Sequence, residues 1–435
     1  MAVDLAKVAK DKKIEFFLIS FVDYFGVLRA KLVPASAIGI MQRDGAGFAA
    51  FAAWFDSTPA DPDMLVMPDA SSLIQLPWKP EVAWLAGDCW MGGAPMEDTP
   101  RLMLKRQVAL AAKKGYRMKT GIEAEFFLIN EDGSAISDPR DTQGKPCYDQ
   151  TALMRRFDVV AEICDSMETL GWAPYQNDHE DANGQFEMNY DYCDTLQSAD
   201  RHVFFKFMVK SIAEEHDLRA TFMPKPFAHL TGNGCHTHVS IWDKTGKKNL
   251  FEDKKGPLGM SQLSHHFIGG ILNAAQGLSS IFNPTVNSYK RLNAGTTASG
   301  ATWAPNAITF GGNNRTTMVR IPGPGRFELR SMDGAANPYL MQAGTLMAGL
   351  EGVSSKRDPG KCHDIDMFAE GHKVRGIRKL PLNLLDAIRA TEKDKVINEG
   401  FGKSFVQSYT KLKRQEWQSY TSHLSQWERD NSLDC

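Results

Sequence analysis

Acidic side chains recur in this sequence at spacings that could place several of them on one face of a strand. Glu123 and Glu125 occupy alternate positions of an apolar segment, and alternate side chains of a β-strand project from the same face. Glu180 and Glu187 flank a turn that an Asn-Gly pair predicts. Carboxylates beside apolar neighbours are costly to bury unpaired, so they need cations. For any one pair alone, exposure to solvent or a surface salt bridge is the simpler explanation.

Two histidines and a further glutamate extend this pattern. His236 and His238 also alternate, and Glu328 lies between Arg326 and Arg330. An oxygen-rich ligand set with an imidazole suits Mg²⁺ or Mn²⁺ better than zinc. The recurrence of such residues on several predicted strands, rather than any one pair, favours a divalent metal site.

A second group of candidate functional residues is basic. Its members are Arg291, Arg315, Arg320, Arg326 and Arg330. The guanidinium group can form a bidentate pair of hydrogen bonds with a carboxylate or a phosphate. Phosphoryl transfer depends on the stabilisation of negative charge. With divalent metals, these arginines predict ATP turnover on an anionic substrate; a structural ion-pair network is the alternative. Neither a G-x-x-x-x-G-K-[ST] loop nor a G-x-G-x-x-G turn before a helix occurs, so ATP, if bound, would be held mainly through metals and arginines.

The elements that position these residues can be predicted from periodicity and turn residues. Alternation predicts strands at 14–23 and 27–33 in a small, mostly antiparallel unit, followed by a linker at 91–100. An amphipathic pattern predicts a helix at 102–114 that stops at Gly115. Further strands are predicted at 125–129, 185–189, 236–242 and 326–330, and further helices at 155–170, 199–216, 382–392 and 417–427.

Composition limits the class of protein. The 435 residues are enough for two or three domains. Fifty basic and 52 acidic residues give a net charge of −2, which offers no general attraction to nucleic acid or to anionic membrane. The seven scattered cysteines lack a C-x-x-C pair, and we find no pattern of a signal peptide or membrane helix. We therefore expect a reduced, cytoplasmic protein without nucleic-acid or membrane partners.

Seven sequence blocks together closely resemble the glutamine synthetase family, in the family's order and over about residues 14–430. The blocks begin at Met67, Glu123, Thr221, His236, Asn287, Asn314 and Ala335. The resemblance implies an α+β fold, with an N-terminal β-grasp domain at 1–98 and a catalytic domain at 99–435 built on a curved antiparallel sheet with flanking helices. It also implies a homo-oligomer, commonly a dodecamer of two stacked hexamers, with active sites between subunits.

The resemblance further implies roles for individual residues. The ligands of the metal nearer glutamate would be Glu125, Glu180 and Glu187, and those of the metal at the ATP phosphates would be Glu123, His236 and Glu328. The ATP-binding positions would be His238, Ser240, Arg320 and Arg326, and the glutamate-binding positions Gly232, Arg291, Arg315 and Arg330. Arg315 and Arg320 would be catalytic, with two or three Mg²⁺ or Mn²⁺ ions per active site and ATP as co-substrate. ATP would phosphorylate the γ-carboxylate of glutamate, and an uncharged amine would then displace phosphate.

The sequence departs from the family where the amine is received. Members that use ammonia carry an Asp-Gly-Ser-Ser motif; an ungapped count places residues 49–52 there, and a seven-residue gap would place Asp56 there instead. Thr297 stands at the position of the family's flap glutamate and has no charge to hold ammonium. Phe51 and Trp54 add apolar surface, and a buried methyl group gains roughly 0.8 kcal/mol by leaving water. These departures resemble the branch that contains γ-glutamylmethylamide synthetases.

Three hypotheses follow from the sequence. The first is an ATP-dependent ligase that forms γ-glutamylmethylamide from glutamate and methylamine through a γ-glutamyl phosphate. The second is a glutamine synthetase that uses ammonia and takes its base from elsewhere. The third is a non-catalytic family member with a structural or regulatory role, which would not require the complete set of metal ligands and arginines.

Overall fold

The computed structural model describes residues 3–295, 297–300, 302 and 304–435. Its N-terminal part contains helices α1 (Leu5–Lys12) and α2 (Ile38–Asp44). Strands β1 to β7 lie at Phe16–Val22, Leu28–Pro34, Ala46–Phe48, Met64–Pro68, Ile74–Gln75, Val82–Met91 and Ala94–Pro95. They form one seven-stranded sheet in the order β2-β1-β6-β4-β3, with β5 and β7 also paired to β6.

Strand β1 lies inside this sheet because nearly every side chain along it is apolar. Phe17 and Ile19 are fully buried, and β1 pairs antiparallel to β2 and parallel to β6. The other neighbours in the sheet run antiparallel. The strands predicted at 14–23 and 27–33 and their mostly antiparallel arrangement are therefore confirmed.

Two further sheets follow helix α3 (Pro100–Lys113), which confirms the helix predicted at 102–114. Strands β8 to β17 lie at Tyr116–Ala124, Phe126–Ile129, Pro174–His179, Gln185–Tyr190, Cys193–Asp194, Arg219–Thr221, Cys235–Asp243, Phe310–Gly311, Val319–Gly323 and Arg326–Leu329. The six-stranded sheet has the order β12-β8-β14-β17-β16-β15, and the four-stranded sheet the order β10-β11-β9-β13. Because β8 and β9 are separated by one residue, the chain passes directly from one sheet into the other.

Helices flank these sheets. Helices α4 to α13 lie at Gln150–Arg155, Phe157–Thr169, Thr195–Glu215, Gln262–Phe282, Ser288–Leu292, Pro338–Ser354, Leu384–Lys393, Lys395–Phe401, Lys403–Ser422 and Gln426–Ser432. The two helices α7 and α9 approach so closely that a Cβ on Gly270 would come 2.1 Å from the carbonyl oxygen of Ala348. Among the described residues, no helix is both long enough and apolar enough to cross a membrane.

Three predicted elements are wrong in detail. Glu125 was expected inside a strand, but it lies between β8 and β9, where the backbone changes sheet. The helix predicted at 155–170 is interrupted at Arg156, whose φ of −117° is not helical. The helix predicted at 417–427 ends at Ser422, and α13 begins after Ser425, whose side chain forms a capping box with Glu428.

A buried ion cluster joins the N-terminal sheet to the helices behind it. Arg101 on α3 is 5% exposed, and its guanidinium contacts Asp69 at 3.0 Å, Asp88 at 2.8 Å and Asp200 at 2.9 Å. Asp69 and Asp88 belong to the N-terminal sheet region, whereas Asp200 lies on α6. One arginine thus neutralises carboxylates from two parts of the chain.

Replacing Arg101 by methionine should destabilise the fold strongly. The change leaves Asp200 without its cationic partner and Asp69 and Asp88 with Lys105 alone, and breaking a buried ion pair costs about 3–5 kcal/mol. We expect a clearly lower midpoint of thermal unfolding by calorimetry. Arg43→Met, which removes an exposed partner of Asp44, is the matched control and should leave the midpoint almost unchanged. Equal midpoints for the two variants would contradict a joining role for Arg101.

Candidate active site

The register of the six-stranded sheet places the chemically capable residues opposite one another. Glu123 on β8 faces His236 on β14, and His238 on β14 faces Glu328 on β17. Glu328 in turn faces Arg320 on β16. The period-two spacing of these residues therefore brings acids, imidazoles and an arginine onto neighbouring strands.

A cavity of about 510 Å³ opens over these strands. Its lining includes most of the predicted site: Glu123, Glu125, Glu180, Glu187, Gly232, His236, His238, Arg291, Arg315, Arg320, Arg326, Glu328 and Arg330. Ser240 lies in a neighbouring cavity instead. Phe51, Trp54, Asp56 and Thr297 are not among the lining residues described for either cavity.

Glu125, Glu180 and Glu187 form one compact acidic cluster, whose ligand oxygens all lie within 4.8 Å of one another. Burial raises the pKa of Glu187 and of Glu180 well above the ordinary value, and neighbouring carboxylates raise each further. Burial likewise raises the pKa of Glu125, although Arg291 and a hydrogen bond from Gly234 oppose that shift. Such a cluster can ionise fully only with a cation between its members, so its oxygens fit a hard divalent metal.

A second acidic group surrounds the two histidines. His236 Nδ1 lies 3.9 Å from Glu123 and 3.7 Å from Glu328, and His238 Nε2 lies 3.0 Å from Glu123. Burial lowers the pKa of His236 well below its usual value, which keeps the imidazole neutral and able to bind a metal. His236 Nε2 and His238 Nδ1 are buried without a hydrogen-bond partner among the described residues. The nitrogens that face the acids, Nδ1 of His236 and Nε2 of His238, fit a metal, and His238 is as close to the acids as His236.

Arginines lie along one side of the acidic groups. Glu328 is fully buried, and it contacts Arg320 at 2.7 Å and also Arg330. Burial raises the pKa of Glu328, but the charges of Arg330 and Arg320 hold it well below its ordinary value. Arg291 is buried nearby and donates from Nη1 to the carbonyl of Ser331 at 3.3 Å. The cavity thus changes from acidic to basic across its width.

The neighbouring cavity, of about 450 Å³, has aromatic walls that the sequence did not single out. Tyr192 and Trp242 stack with their ring centres 6.3 Å apart, and the ammonium group of Lys119 lies 4.1 Å from the centre of Trp242. Ser240 accepts a hydrogen bond from Trp242 Nε1 at 2.9 Å. A planar base could pack against such walls. Trp242 alternates with His238 and Ser240 on β14, and this alternation is the sequence signal that could have identified the cavity wall. Both cavities share Glu123 and His238 in their lining.

The predicted flap lies beside Asp181, a residue that sequence reasoning missed. Ser299 donates to Asp181 at 2.7 Å, and Thr231 donates to the same carboxylate oxygen at 3.2 Å. Thr297 is 7% exposed, with its hydroxyl 3.3 Å from that of Ser299. Thr296 of the flap is outside the described residues. Hydroxyl groups, rather than a second acid, therefore occupy the described part of the flap.

The other predicted amine-site residues lie on the N-terminal part. The side chains of Phe51 and Trp54 are 48% and 46% exposed, and Trp54 stacks on Phe25 with ring centres 4.8 Å apart. Asp56 pairs with Lys411 at 2.6 Å. Within one chain, these residues form an outward surface that the described cavity lining does not include.

Comparison with known proteins decides the family. Residues 97–432 match the model of the glutamine synthetase catalytic domain. The chain belongs to the glutamine synthetase family. It is 62% identical, over the full length of both chains, to a glutamine synthetase of Rhizobium leguminosarum bv. phaseoli. It is 43% identical to a glutamate–methylamine ligase of Methyloversatilis universalis, covering 98% of this chain and 97% of the relative.

A solved ADP complex of GmaS is also similar. It has a TM-score of 0.96 and 63% identity, and covers 99% of this chain and 100% of its own. The predicted family, α+β fold and ligase class are thereby confirmed. The domain boundary at residue 98 and the individual site roles stay predictions.

Replacing Glu180 by glutamine should separate the electrostatic strain from the metal affinity of the acidic cluster. Without metal, the variant should unfold at a higher temperature than the wild type, because one of three mutually repelling buried carboxylates is gone. With Mn²⁺ at 100 times its dissociation constant, the wild type should gain about 2.7 kcal/mol and the variant clearly less. Calorimetry with and without Mn²⁺ measures both effects.

Glu131→Gln, an exposed change on the turn after β9, is the control and should alter neither value. An equal Mn²⁺ gain in wild type and Glu180→Gln would argue against metal binding by this cluster.

Proposed function

We propose that this chain is an ATP-dependent ligase that joins the γ-carboxylate of glutamate to methylamine through a γ-glutamyl phosphate. The observation that carries the proposal is the pair of adjoining cavities. One has aromatic walls suited to a nucleotide base, and the other combines buried carboxylates with arginines. Glu123 and His238 line both cavities, so phosphates that extend from the first would enter the second between the acids and the arginines.

The arginines divide between binding and phosphoryl transfer. Arg291 and Arg330 are buried, and their Nε groups lack a partner among the described residues, so each has donors left for a substrate carboxylate. Arg315 and Arg320 line the same cavity closer to its open side and would stabilise charge on the transferred phosphoryl group. Mg²⁺ or Mn²⁺ held by the two acidic groups would neutralise the phosphate oxygens and the substrate carboxylate.

The amine-receiving half supports methylamine over ammonia. An attacking amine must be uncharged in either case. A flap glutamate would accept a hydrogen bond from the N–H that ammonium has in place of the methyl group, whereas Thr297 offers a hydroxyl without a charge. The name of the relative from Methyloversatilis and the similarity to GmaS support the same choice. The Rhizobium glutamine synthetase, at 62% identity, supports ammonia as the second candidate.

Steady-state phosphate release with glutamate, Mg-ATP and either amine tests the substrate directly. We expect kcat/KM for methylamine to exceed that for ammonium. Thr297→Glu should shift this ratio toward ammonium by at least about tenfold, because ammonium has an N–H where methylamine has its methyl group, and a hydrogen bond to a charged group contributes about 1.5–3 kcal/mol. Thr297→Gln is the matched control, since it adds similar length without a charge.

Wild-type kcat/KM that is equal or higher for ammonium would overturn the methylamine assignment in favour of glutamine synthetase. No phosphate release with either amine would favour the non-catalytic role. An equal shift in Thr297→Glu and Thr297→Gln would show that charge at this position does not control the amine.

The site is completed by a second copy of the chain in a homo-oligomer, which we expect to be a dodecamer of two stacked hexamers. The supporting observation is that Phe51 and Trp54 are exposed and lie outside the described lining of their own chain's cavity. If this aromatic surface contacts the amine, it must do so in the cavity of a neighbouring subunit.

Co-expression of two inactive variants tests shared sites. Glu187→Gln disables the cavity, and Trp54→Arg places a repelling cation on the aromatic surface. If sites form between chains, random mixing should restore about one quarter of the sites, because a head-to-tail contact pairs the intact parts of both variants. Activity after co-purification is the measurement, and each variant expressed alone is the control. No restored activity in verified mixed oligomers would contradict shared sites.

A further inference from the structure

One buried carboxylate outside the cavity, Asp141, holds the turn that carries Glu180. Asp141 is 4% exposed and lies in the segment between β9 and α4. It accepts hydrogen bonds from the side-chain amide of Asn183 at 2.8 Å and from the backbone N–H of Gly184 at 2.6 Å. It also pairs with Nε2 of His179 at 2.7 Å. Asp141 therefore binds both ends of the turn that follows β10.

His179 connects Asp141 to the backbone of the acidic cluster itself. Its ring is fully buried, and Nδ1 lies 3.0 Å from the carbonyl oxygen of Glu180, to which it donates because a carbonyl oxygen only accepts. The carbonyl of His179 accepts a hydrogen bond from the backbone of Tyr148 at 2.8 Å, and Tyr148 lines the cavity. A shift of Asp141 would thus move the backbone of Glu180.

Glu180 depends on this support more than its two partners do. Glu187 lies on β11 between β10 and β9, and it accepts a hydrogen bond from Asn189 at 2.9 Å. Glu125 accepts hydrogen bonds from Gly234 and Gln185. Glu180, in contrast, follows the end of β10. Its backbone N–H donates to the carbonyl of Gln185 at 2.9 Å, whereas its carboxylate accepts from the backbone N–H of the next residue, 181. Repulsion within the cluster would displace this turn first.

We propose that Asp141 is a positioning residue that keeps Glu180 at metal-binding distance from Glu125 and Glu187. The assignment rests on the proposed function, in which these three carboxylates hold a divalent cation. Removing a group that orients a metal ligand without itself touching the metal weakens metal binding about 10–100-fold. Asp141 acts through the backbone of the turn, so its loss should weaken metal binding more than it slows the chemistry.

Mn²⁺ binding to the purified oligomer, measured by calorimetric titration without ATP or glutamate, tests this role. Asp141→Asn keeps the size of the side chain but removes its charge and one of its two strong acceptors. We expect about 10–100-fold weaker Mn²⁺ binding, with kcat at saturating Mn²⁺ within a few-fold of the wild type. The split between metal affinity and kcat is what distinguishes positioning from general destabilisation.

Asp138→Asn is the matched control. Asp138 lies in the same segment and is also 4% exposed, but it pairs with Arg155 and accepts from the backbone of Arg140 rather than from the turn. This variant should retain Mn²⁺ affinity within about threefold, well below the effect of losing ligand orientation. Equal weakening in both variants, or unchanged affinity in Asp141→Asn, would overturn the proposal.

A milder variant keeps the test decisive if Asp141→Asn does not fold. Asn183→Ala removes one of the three contacts of Asp141 without changing a charge, and should weaken Mn²⁺ binding several-fold; unchanged affinity would contradict the proposal. Because metal binding is measured without substrates, a wild type that binds Mn²⁺ but releases no phosphate would refute the proposed function while leaving the role of Asp141 intact.

Discussion

The mutual repulsion of three closely spaced carboxylates, two of them buried and one partly buried, is the constraint on which the rest of the site depends. Glu125, Glu180 and Glu187 present oxygens within 4.8 Å of one another, in surroundings that raise the pKa of each. Such a group is stable only if the backbone holds it from several directions and a cation lies between its members. The junction of two sheets meets the first requirement, since β8 ends immediately before Glu125 and β9 begins immediately after it.

The same junction produces two adjoining groups of carboxylates and histidines that could each hold a cation. Glu123 stays with the six-stranded sheet, beside His236 and His238, whereas Glu125 turns toward β11 and Glu187. Glu328 then marks the border with the basic side, because its two oxygens are held by arginines. An anionic substrate that enters between these sides meets cations on both, which is the arrangement that phosphoryl transfer between two anions requires.

Period-two spacing predicted much of this site because it depends on neighbouring strands. The alternation of His236 with His238 is a local pattern, and the sheet converts it directly into geometry. The change of sheet at Glu125 could not be predicted, since strand periodicity does not show where a strand exchanges one partner for another. Asp141 and Asp181 were missed for a related reason: their partners lie about 40 or more residues away, so no local spacing connects them.

The two halves of the site differ in how readily they can change. In the proposed phosphorylating half, three acids and two arginines are buried among charged neighbours, so substituting one of them would leave an uncompensated charge; they are Glu125, Glu187, Glu328, Arg291 and Arg330. In the proposed amine half, hydroxyls on the flap lie beside Asp181, and aromatic rings lie on an exposed surface. The amine substrate could therefore differ between two members of the family that share most of their sequence.

Overall sequence identity then reflects mainly the proposed phosphorylating half. For this reason 62% identity to a glutamine synthetase and 43% to a glutamate–methylamine ligase do not decide which amine is the substrate. Position 297 bears more directly on the proposed amine, because a carboxylate there could accept a hydrogen bond from the N–H that ammonium has in place of the methyl group.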